Sequence, residues 1–257
     1  MSKWRPVNKN CLYVIPDVHG MYDELEVILK RILPLRKSSK GFDKLIMLGD
    51  YIDRRAKSPL VIDKLIELKE EYPSQIVLLM GNHEKMFLDA LKPSTNSAKY
   101  LMWMKNGGEE SLYGYLRRKN SEVQNPYLIE RQRLSSYIPK EHIKFCEKLE
   151  YYHETDDFIF VHAGCDPYEG LFNQDKEVLI WDRSVYNTVK YRLFNPLPWE
   201  KCVVTGHNCE DDGRILIRDK FMMLDRSSIN ELMVMEVNSR QAMVAKRNKK
   251  RLVKMKI

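Results

Sequence analysis

The stretch Ile76-Val-Leu-Leu-Met80, Gly81-Asn82-His83-Glu84, Lys85-Met-Phe-Leu-Asp-Ala-Leu91 runs from five apolar residues, through a small and titratable tetrapeptide, into an amphipathic segment. That order reads as a buried strand, the loop at its end, and a helix. Two earlier segments repeat it. Leu12-Tyr-Val-Ile15 leads into Pro16-Asp17-Val18-His19-Gly20, and Leu45-Ile-Met-Leu48 leads into Gly49-Asp50-Tyr51-Ile52-Asp53-Arg54-Arg55. Loops at strand ends are where a rigid scaffold presents reactive groups. Three such ends here carry Asp, His, Asp, Asp, Asn and His within the first third of the chain.

Between these strands lie two helical patterns. From Met21 to Leu33 apolar residues fall at 21, 25, 28, 29, 32 and 33, and Pro34 ends the run. After the polar connector Arg36–Lys40 and the second strand, Ser58-Pro59 opens a helix through Glu70, with Leu60, Ile62, Leu65, Ile66 and Leu68 as its apolar positions. Alternation of strand and helix over ninety residues implies parallel strands joined by crossover helices.

The pattern changes at about residues 97–150, a mostly helical insertion holding Tyr100-Leu-Met-Trp-Met104 and Asn106-Gly107-Gly108-Glu109-Glu110. Its aromatic and methionine side chains read as packing. Strand character returns as a hairpin, Tyr151-Tyr-His153 and Phe158-Ile-Phe-Val161 about a turn at Thr155–Asp157. Further strands are predicted at Val178–Trp181, Lys201–Thr205, Arg214–Ile217, Phe221–Leu224 and Leu232–Val237. The fold class is α/β, with two packed mixed β-sheets flanked by helices. Residues 1–245 are read as a single domain.

The 257 residues carry 43 Lys and Arg against 36 Asp and Glu, yet residues 246–257 hold seven of those bases and no acid, so residues 1–245 are formally neutral. The excess is a basic C-terminal tail. Its functional reading is weak contact with nucleic acid, and its bland reading a solvated end. No run nears the roughly 18 apolar residues of a membrane span, and Met-Ser-Lys-Trp-Arg at the start leads into no signal-peptide core. Cys11, Cys146, Cys165, Cys202 and Cys209 are odd in number and lack Cys-x-x-Cys spacing, which argues against a disulfide framework. A soluble, cytoplasmic protein with reduced thiols is the expectation.

Of six histidines, four end a predicted strand: His19, His83, His162 and His207. His142 and His153 are read as structural. Imidazole and carboxylate donors without thiolates suit manganese, iron or zinc. A pair of such ions about 3.5–4 Å apart can share a carboxylate and a hydroxide.

Asp17-x-His19-Gly20, Gly49-Asp50-x-x-Asp53-Arg54, Gly81-Asn82-His83-Glu84, His162-Ala163-Gly164 and Gly206-His207 resemble, in order and approximate spacing, the motifs of the calcineurin-like metallophosphoesterases. Within that family the chain looks most like the bacterial and phage branch of the phosphoprotein phosphatase (PPP) serine/threonine phosphatases, over roughly residues 11–210. The resemblance implies two divalent ions, manganese first, with iron or zinc as alternatives. Asp17 and His19 would be ligands of the first ion, Asp50 the bridge, and Asn82, His162 and His207 ligands of the second. It further implies attack by a hydroxide bridging the ions, His83 as general acid oriented by Asp53, and Arg54 and Arg183 on the phosphoryl oxygens.

Phosphoserine or phosphothreonine in proteins, or a phosphorylated small molecule, is the implied substrate. A hydrolase of dinucleoside polyphosphates or of nucleotide and RNA ends is the alternative enzyme, and a catalytically silent binding module the alternative outside enzymes. The sequence departs from the family pattern at Pro16, Arg55 and Asn208 and over Leu224–Ser228. Arg55, where glycine is usual, would narrow the site, add a phosphate contact or strain its turn.

Overall fold

The computed structural model describes residues 10–38, 41–92, 97–119, 125–193, 200–218, 220–247, 249 and 251–255. Met1–Arg5 and the end of the connector Arg36–Lys40 lie outside them.

In chain order the strands are β1 (Leu12–Ile15), β2 (Lys37–Ser38), β3 (Gly41–Phe42), β4 (Lys44–Met47), β5 (Ile76–Leu78), β6 (Tyr152–Glu154), β7 (Phe158–Val161), β8 (Cys202–Thr205), β9 (Leu216–Arg218), β10 (Phe221–Met223), β11 (Glu231–Glu236), β12 (Gln241–Lys246) and β13 (Leu252–Met255). The helices are α1 (Tyr22–Ile32), α2 (Ser58–Glu71), α3 (Asn82–Leu91), α4 (Ser97–Trp103), α5 (Glu109–Arg118), α6 (Lys140–Glu147), α7 (Lys176–Trp181) and α8 (Ser184–Tyr191). One mixed sheet has the order β13-β12-β11-β1-β4-β5, and a second has β6-β7-β8-β10-β9. β1, β4 and β5 are parallel, as are β7, β8 and β10, and antiparallel strands complete each sheet.

Side chains on a strand alternate between its two faces, and in the central strands of each sheet both faces are buried. Val14, Ile46, Leu48, Val77 and Leu79 pack with Phe158, Phe160, Val204, Met222 and Leu224 of the other sheet, which makes the layer between the sheets. The alternate residues, among them Tyr13, Ile15, Leu45, Met47, Ile159, Val161 and Val203, join the helix side chains. In α1 the buried residues are Leu25, Ile28, Leu29 and Ile32, with acids in the first turn and Lys30 and Arg31 in the last, which suits the helix dipole. In α2 it is Val61 that is buried with Ile62, Leu65 and Leu68, while Leu60 stays exposed. The helical segment from α4 to α6 packs against α2 and α3.

Two expectations need correction. Val178–Trp181 lies in helix α7 and not in a strand. A four-residue apolar run fits either element, and Asp175 decides it by capping the helix, its side chain accepting from the Glu177 amide at 2.9 Å. The basic end is not simply solvated. Leu252–Met255 pairs antiparallel with β12 as the outermost strand of the larger sheet. All five cysteines are free thiols. No helix among the described residues is long and apolar enough to cross a membrane.

Candidate metal centre

The histidines and carboxylates singled out from the sequence follow the carboxyl ends of parallel strands: Asp17 and His19 after β1, Asp50 after β4, Asn82 after β5, His162 after β7 and His207 after β8. Turning side chains back over a strand end bends the backbone into unusual conformations. Of the eight described non-glycine residues with positive φ, five are His19, Asp50, Asp53, Arg54 and His207. Strain concentrated in this way marks a functional site. The φ of Arg55 is not positive, so the turn strain falls on Asp53 and Arg54 instead. Gly81 has no alternative for a separate reason: a Cβ there would lie 2.1 Å from Asp50 Oδ1.

Two groups of donors meet at Asp50. His19, Asp50 and His83 form one, and Asp50, His162 and His207 the other, the donor atoms of each lying within 4.8 Å of one another. Asp50 Oδ2 is 3.5 Å from His19 Nε2, and Asp50 Oδ1 is 3.4 Å from His162 Nε2. Asn82 Oδ1 is 3.0 Å from His162 Nε2 and 3.1 Å from His207 Nδ1. Asp17 lies beside both groups: its Oδ2 is 3.9 Å from His19 Nε2, and its carboxylate accepts from the His207 amide at 2.9 and 3.1 Å.

The donor set fits cations. His19 Nδ1 faces the Ile52 carbonyl at 2.9 Å and His162 Nδ1 the Leu48 carbonyl at 2.8 Å. A carbonyl only accepts, so each Nδ1 carries the proton and each Nε2 turns toward the site, the orientation common to metal-binding histidines. A neutral His162 then points a lone pair at Asn82 Oδ1 and Asp50 Oδ1, an arrangement that needs positive charge among the three atoms. The same need is expressed in its pKa: burial opposes charge on the ring, but Asp50 outweighs it and raises the value to about 10. The buried Nε2 atoms of His19 and His207 have no hydrogen-bond partner, and neither has the side-chain amide of Asn208. The donors alone also admit His83 to the first group, a place the resemblance gives to Asp17.

His83 is held differently from the other rings. Its Nδ1 is 2.7 Å from Asp53 Oδ2, and its Nε2 faces Asp50 Oδ2 at 3.8 Å. Burial lowers its pKa, yet Asp50 and Asp53 together leave it raised. Asp53 is fully buried and accepts from Trp103 Nε1 at 3.1 Å and Ser111 Oγ at 2.8 Å. Trp103 is thus both packing and the holder of a site carboxylate. Glu84 accepts from the amides of Asp50, Tyr51, Ile52 and Gly81 at 2.8–3.2 Å, tying the Asp50 loop to the start of α3.

Arg54 and Arg183 are exposed at the rim. The Arg54 amide donates to Gly107 O at 3.0 Å, where a Cβ on Gly107 would come within 2.6 Å of that amide nitrogen, so the insertion seats this loop directly. The charge of Arg54 bears on His19 and His83, and that of Arg183 on His207. Arg55 donates to the His19 carbonyl at 2.7 Å and to Asn230 Oδ1 at 2.5 Å. His142 and His153 lie elsewhere, the first bound to Asp63 and Tyr115 and the second beside Lys44. Sequence reasoning missed the roles of Glu84, Trp103, Ser111 and the buried Asp225, whose charge raises the Asp17 pKa after burial itself. Glu84 alone carried a signal, its place inside a motif.

Known proteins share this architecture. The chain resembles the symmetrical bis(5'-nucleosyl)-tetraphosphatase of Vibrio parahaemolyticus, 28% identical over 157 residues, which are 60% of this chain and 45% of the relative. It also resembles the serine/threonine-protein phosphatase 6 catalytic subunit of Drosophila melanogaster, 35% identical over 71 residues, 28% of this chain and 22% of the relative. The chain thus spans less than half the length of either. Among solved structures, a Saccharomyces cerevisiae protein serine/threonine phosphatase superposes with a TM-score of 0.55 and 14% identity, covering 97% of this chain and 80% of that one. A candidate diadenosine tetraphosphatase superposes with a TM-score of 0.57 and 16% identity, covering 98% and 95%. At these identities the superpositions show the fold. The calcineurin-like phosphoesterase profile matches residues 12–223, and the chain belongs to that family.

Proposed function

We propose that this chain is a divalent-metal-dependent phosphomonoester hydrolase acting on phosphoserine or phosphothreonine in proteins. The observation that carries the reading is the buried His83–Asp53 pair facing Asp50 at the junction of the two donor groups. Asp17 and His19 would hold one ion, Asn82, His162 and His207 the other, and Asp50 both, with manganese first and iron or zinc as alternatives. Such ions, when bound, make water nucleophilic near neutral pH and polarise the phosphoryl group.

The residues account for the rest. Asp53 fixes the ring of His83 and favours its doubly protonated form, so Nε2 can hand a proton to the departing alkoxide. Arg54 and Arg183 bind the non-bridging phosphoryl oxygens, since a guanidinium fork matches two of them and counters their growing charge. Trp103 and Ser111 keep Asp53 oriented and away from water. Phosphoproteins or phosphorylated small molecules are the partners, in the cytoplasm. Contact with nucleic acid through the basic end is an added proposal, now limited to groups that a paired β13 leaves exposed.

Hydrolysis of dinucleoside polyphosphates is the second reading, favoured by the tetraphosphatase likeness over 60% of the chain. Initial rates of manganese-loaded protein, with and without chelator, on a phosphothreonine peptide, p-nitrophenyl phosphate and a diadenosine polyphosphate decide between them. Chelator-sensitive turnover of the two monoesters with little dinucleotide cleavage supports the first. Preference for the dinucleotide supports the second, and no turnover of any substrate refutes both.

A further inference from the structure

Beside the metal centre lies a cavity of about 530 Å³ that none of the roles above uses. Four arginines line it: Arg54, Arg55, Arg117 and Arg247. They come from three distant parts of the chain. Arg54 and Arg55 follow the Asp50 loop, Arg117 stands in the last turn of α5, and Arg247 is the residue of the basic end that directly follows β12. Lys57 and Asp23 also line the cavity but pair with each other at 2.5 Å, which leaves no net charge. Among the described residues, none of the four arginines has a carboxylate within 4.0 Å, although Glu24 and Glu110 share the lining.

Four guanidinium charges against the two lining carboxylates of Glu24 and Glu110, neither of them paired with an arginine among the described residues, leave the cavity net positive, and an anion would complete it. Two sequence features otherwise lacking a role meet here: Arg55, where the family pattern has glycine, and the first part of the basic end. Arg55 is anchored from both sides, by the His19 carbonyl and by Asn230, so the floor of the cavity is tied to a candidate metal ligand. Arg117 lies over the Tyr113 ring, its guanidinium carbon 5.6 Å from the centroid. The remaining arginines are exposed at the rim, open to a ligand entering from solvent.

We infer that this cavity is a second-phosphate subsite, taking a phosphate that adjoins the scissile one on the same substrate, as in an oligophosphate chain. Arginine forks suit phosphate oxygens. Arg54 points to adjacency, because in the proposed reaction it binds the scissile group and in this cavity it lines the neighbouring space. Phosphates joined through one bridging oxygen are spaced for a shared guanidinium. Two phosphorylated residues of a peptide are set apart by at least one Cα step of 3.80 Å and by both side chains. The inference rests on the phosphoryl-transfer reading of the metal centre, but not on its protein substrate, and it moves the weight between the two substrate readings toward the second.

The test compares wild type with the double variant Arg117→Gln/Arg247→Gln, in the full chain with manganese in excess. Inhibition of p-nitrophenyl phosphate hydrolysis by inorganic phosphate and by tripolyphosphate is measured for each. Metal chelation by tripolyphosphate affects both proteins alike and cancels in the comparison. In wild type, tripolyphosphate should inhibit at a concentration at least about tenfold lower than phosphate, and the variant should lose most of that gap. An equal gap in both proteins overturns the inference. So does a peptide with two adjacent phosphothreonines that reproduces the arginine-dependent gap while tripolyphosphate does not. Should the protein hydrolyse no monoester, the monoester reading fails, and titration calorimetry of tripolyphosphate against the same two proteins still decides the subsite.

Discussion

Replacing Asp53 with asparagine changes one atom of a fully buried side chain and reports on how His83 works. Asp53 accepts from three donors: His83 Nδ1 at 2.7 Å, Trp103 Nε1 at 3.1 Å and Ser111 Oγ at 2.8 Å. An amide keeps one acceptor oxygen and turns its NH₂ on the donors left over. For His83 to act as an acid it must carry protons on both nitrogens, and the form with a proton on Nδ1 is the one that Asp53 stabilises. A hydrogen bond to a charged group contributes about 1.5–3 kcal/mol, so Asp53→Asn should depopulate the acid form by roughly 10- to 150-fold. The loss should appear where the leaving group needs a proton. With metal-loaded protein, kcat on a phosphothreonine peptide or an alkyl phosphate should fall by about that factor, a partial loss of the roughly 10²–10⁴-fold that general acid catalysis supplies in full. The rate on p-nitrophenyl phosphate, whose phenolate departs unprotonated, should fall only a few-fold. Metal content and melting temperature, measured in parallel, separate the effect from loss of the site. Equal losses on both substrates, with metal and fold intact, would refute the assignment of His83 as proton donor.

Three further outcomes follow from the packing. Trp103→Phe keeps a ring against Phe87, whose centroid lies 5.5 Å away, but removes the indole donor to Asp53; the same leaving-group pattern should appear at about tenfold or less, with metal content unchanged. Asp43 is buried and bound by Arg36 and by the Cys11 and Arg36 amides. Burial raises its pKa, but those bonds outweigh burial and leave it lowered. Its stabilisation is therefore complete above the unfolded value of about 4 and is lost as pH falls through the lower folded value. Melting temperature should drop more steeply below about pH 4 in wild type than in Asp43→Asn. Deleting residues 248–257 removes β13, the outermost strand paired with β12; a melting-temperature loss of a few degrees is expected, at about 2–4 °C per kcal/mol for a chain near this size. An unchanged melting curve would show that β13 adds nothing to the sheet.

The first ninety residues were the most legible part of the chain, since each apolar run there is bounded by proline, glycine or a charged loop and alternates cleanly with helical spacing. The candidate ligands were equally legible, because Asp, His and Asn at the tips of buried strands have few packing reasons to be there. The second sheet was harder to read. Its strands are three or four residues long, and Val178-Leu-Ile-Trp181 could have been strand or helix until the Asp175 cap was placed. What supports the site was hidden almost entirely. Trp103 and Ser111 are 50 and 58 residues from Asp53, and nothing local in Tyr100–Met104 marks an indole nitrogen as a hydrogen-bond donor to a distant carboxylate. The basic end misled for a similar reason, since charge suggested solvent while pairing with β12 depends on register with a partner strand.

Asp50 is the one residue common to both donor groups, so metal stoichiometry tests the account most directly. Protein refolded or dialysed with manganese, passed through a desalting column and analysed for metal, should carry close to two ions per chain. Asp50→Asn should lose both, whereas His207→Asn should keep one. Unchanged metal content in Asp50→Asn, or a wild-type chain that retains none, would contradict a two-ion centre built on Asp50.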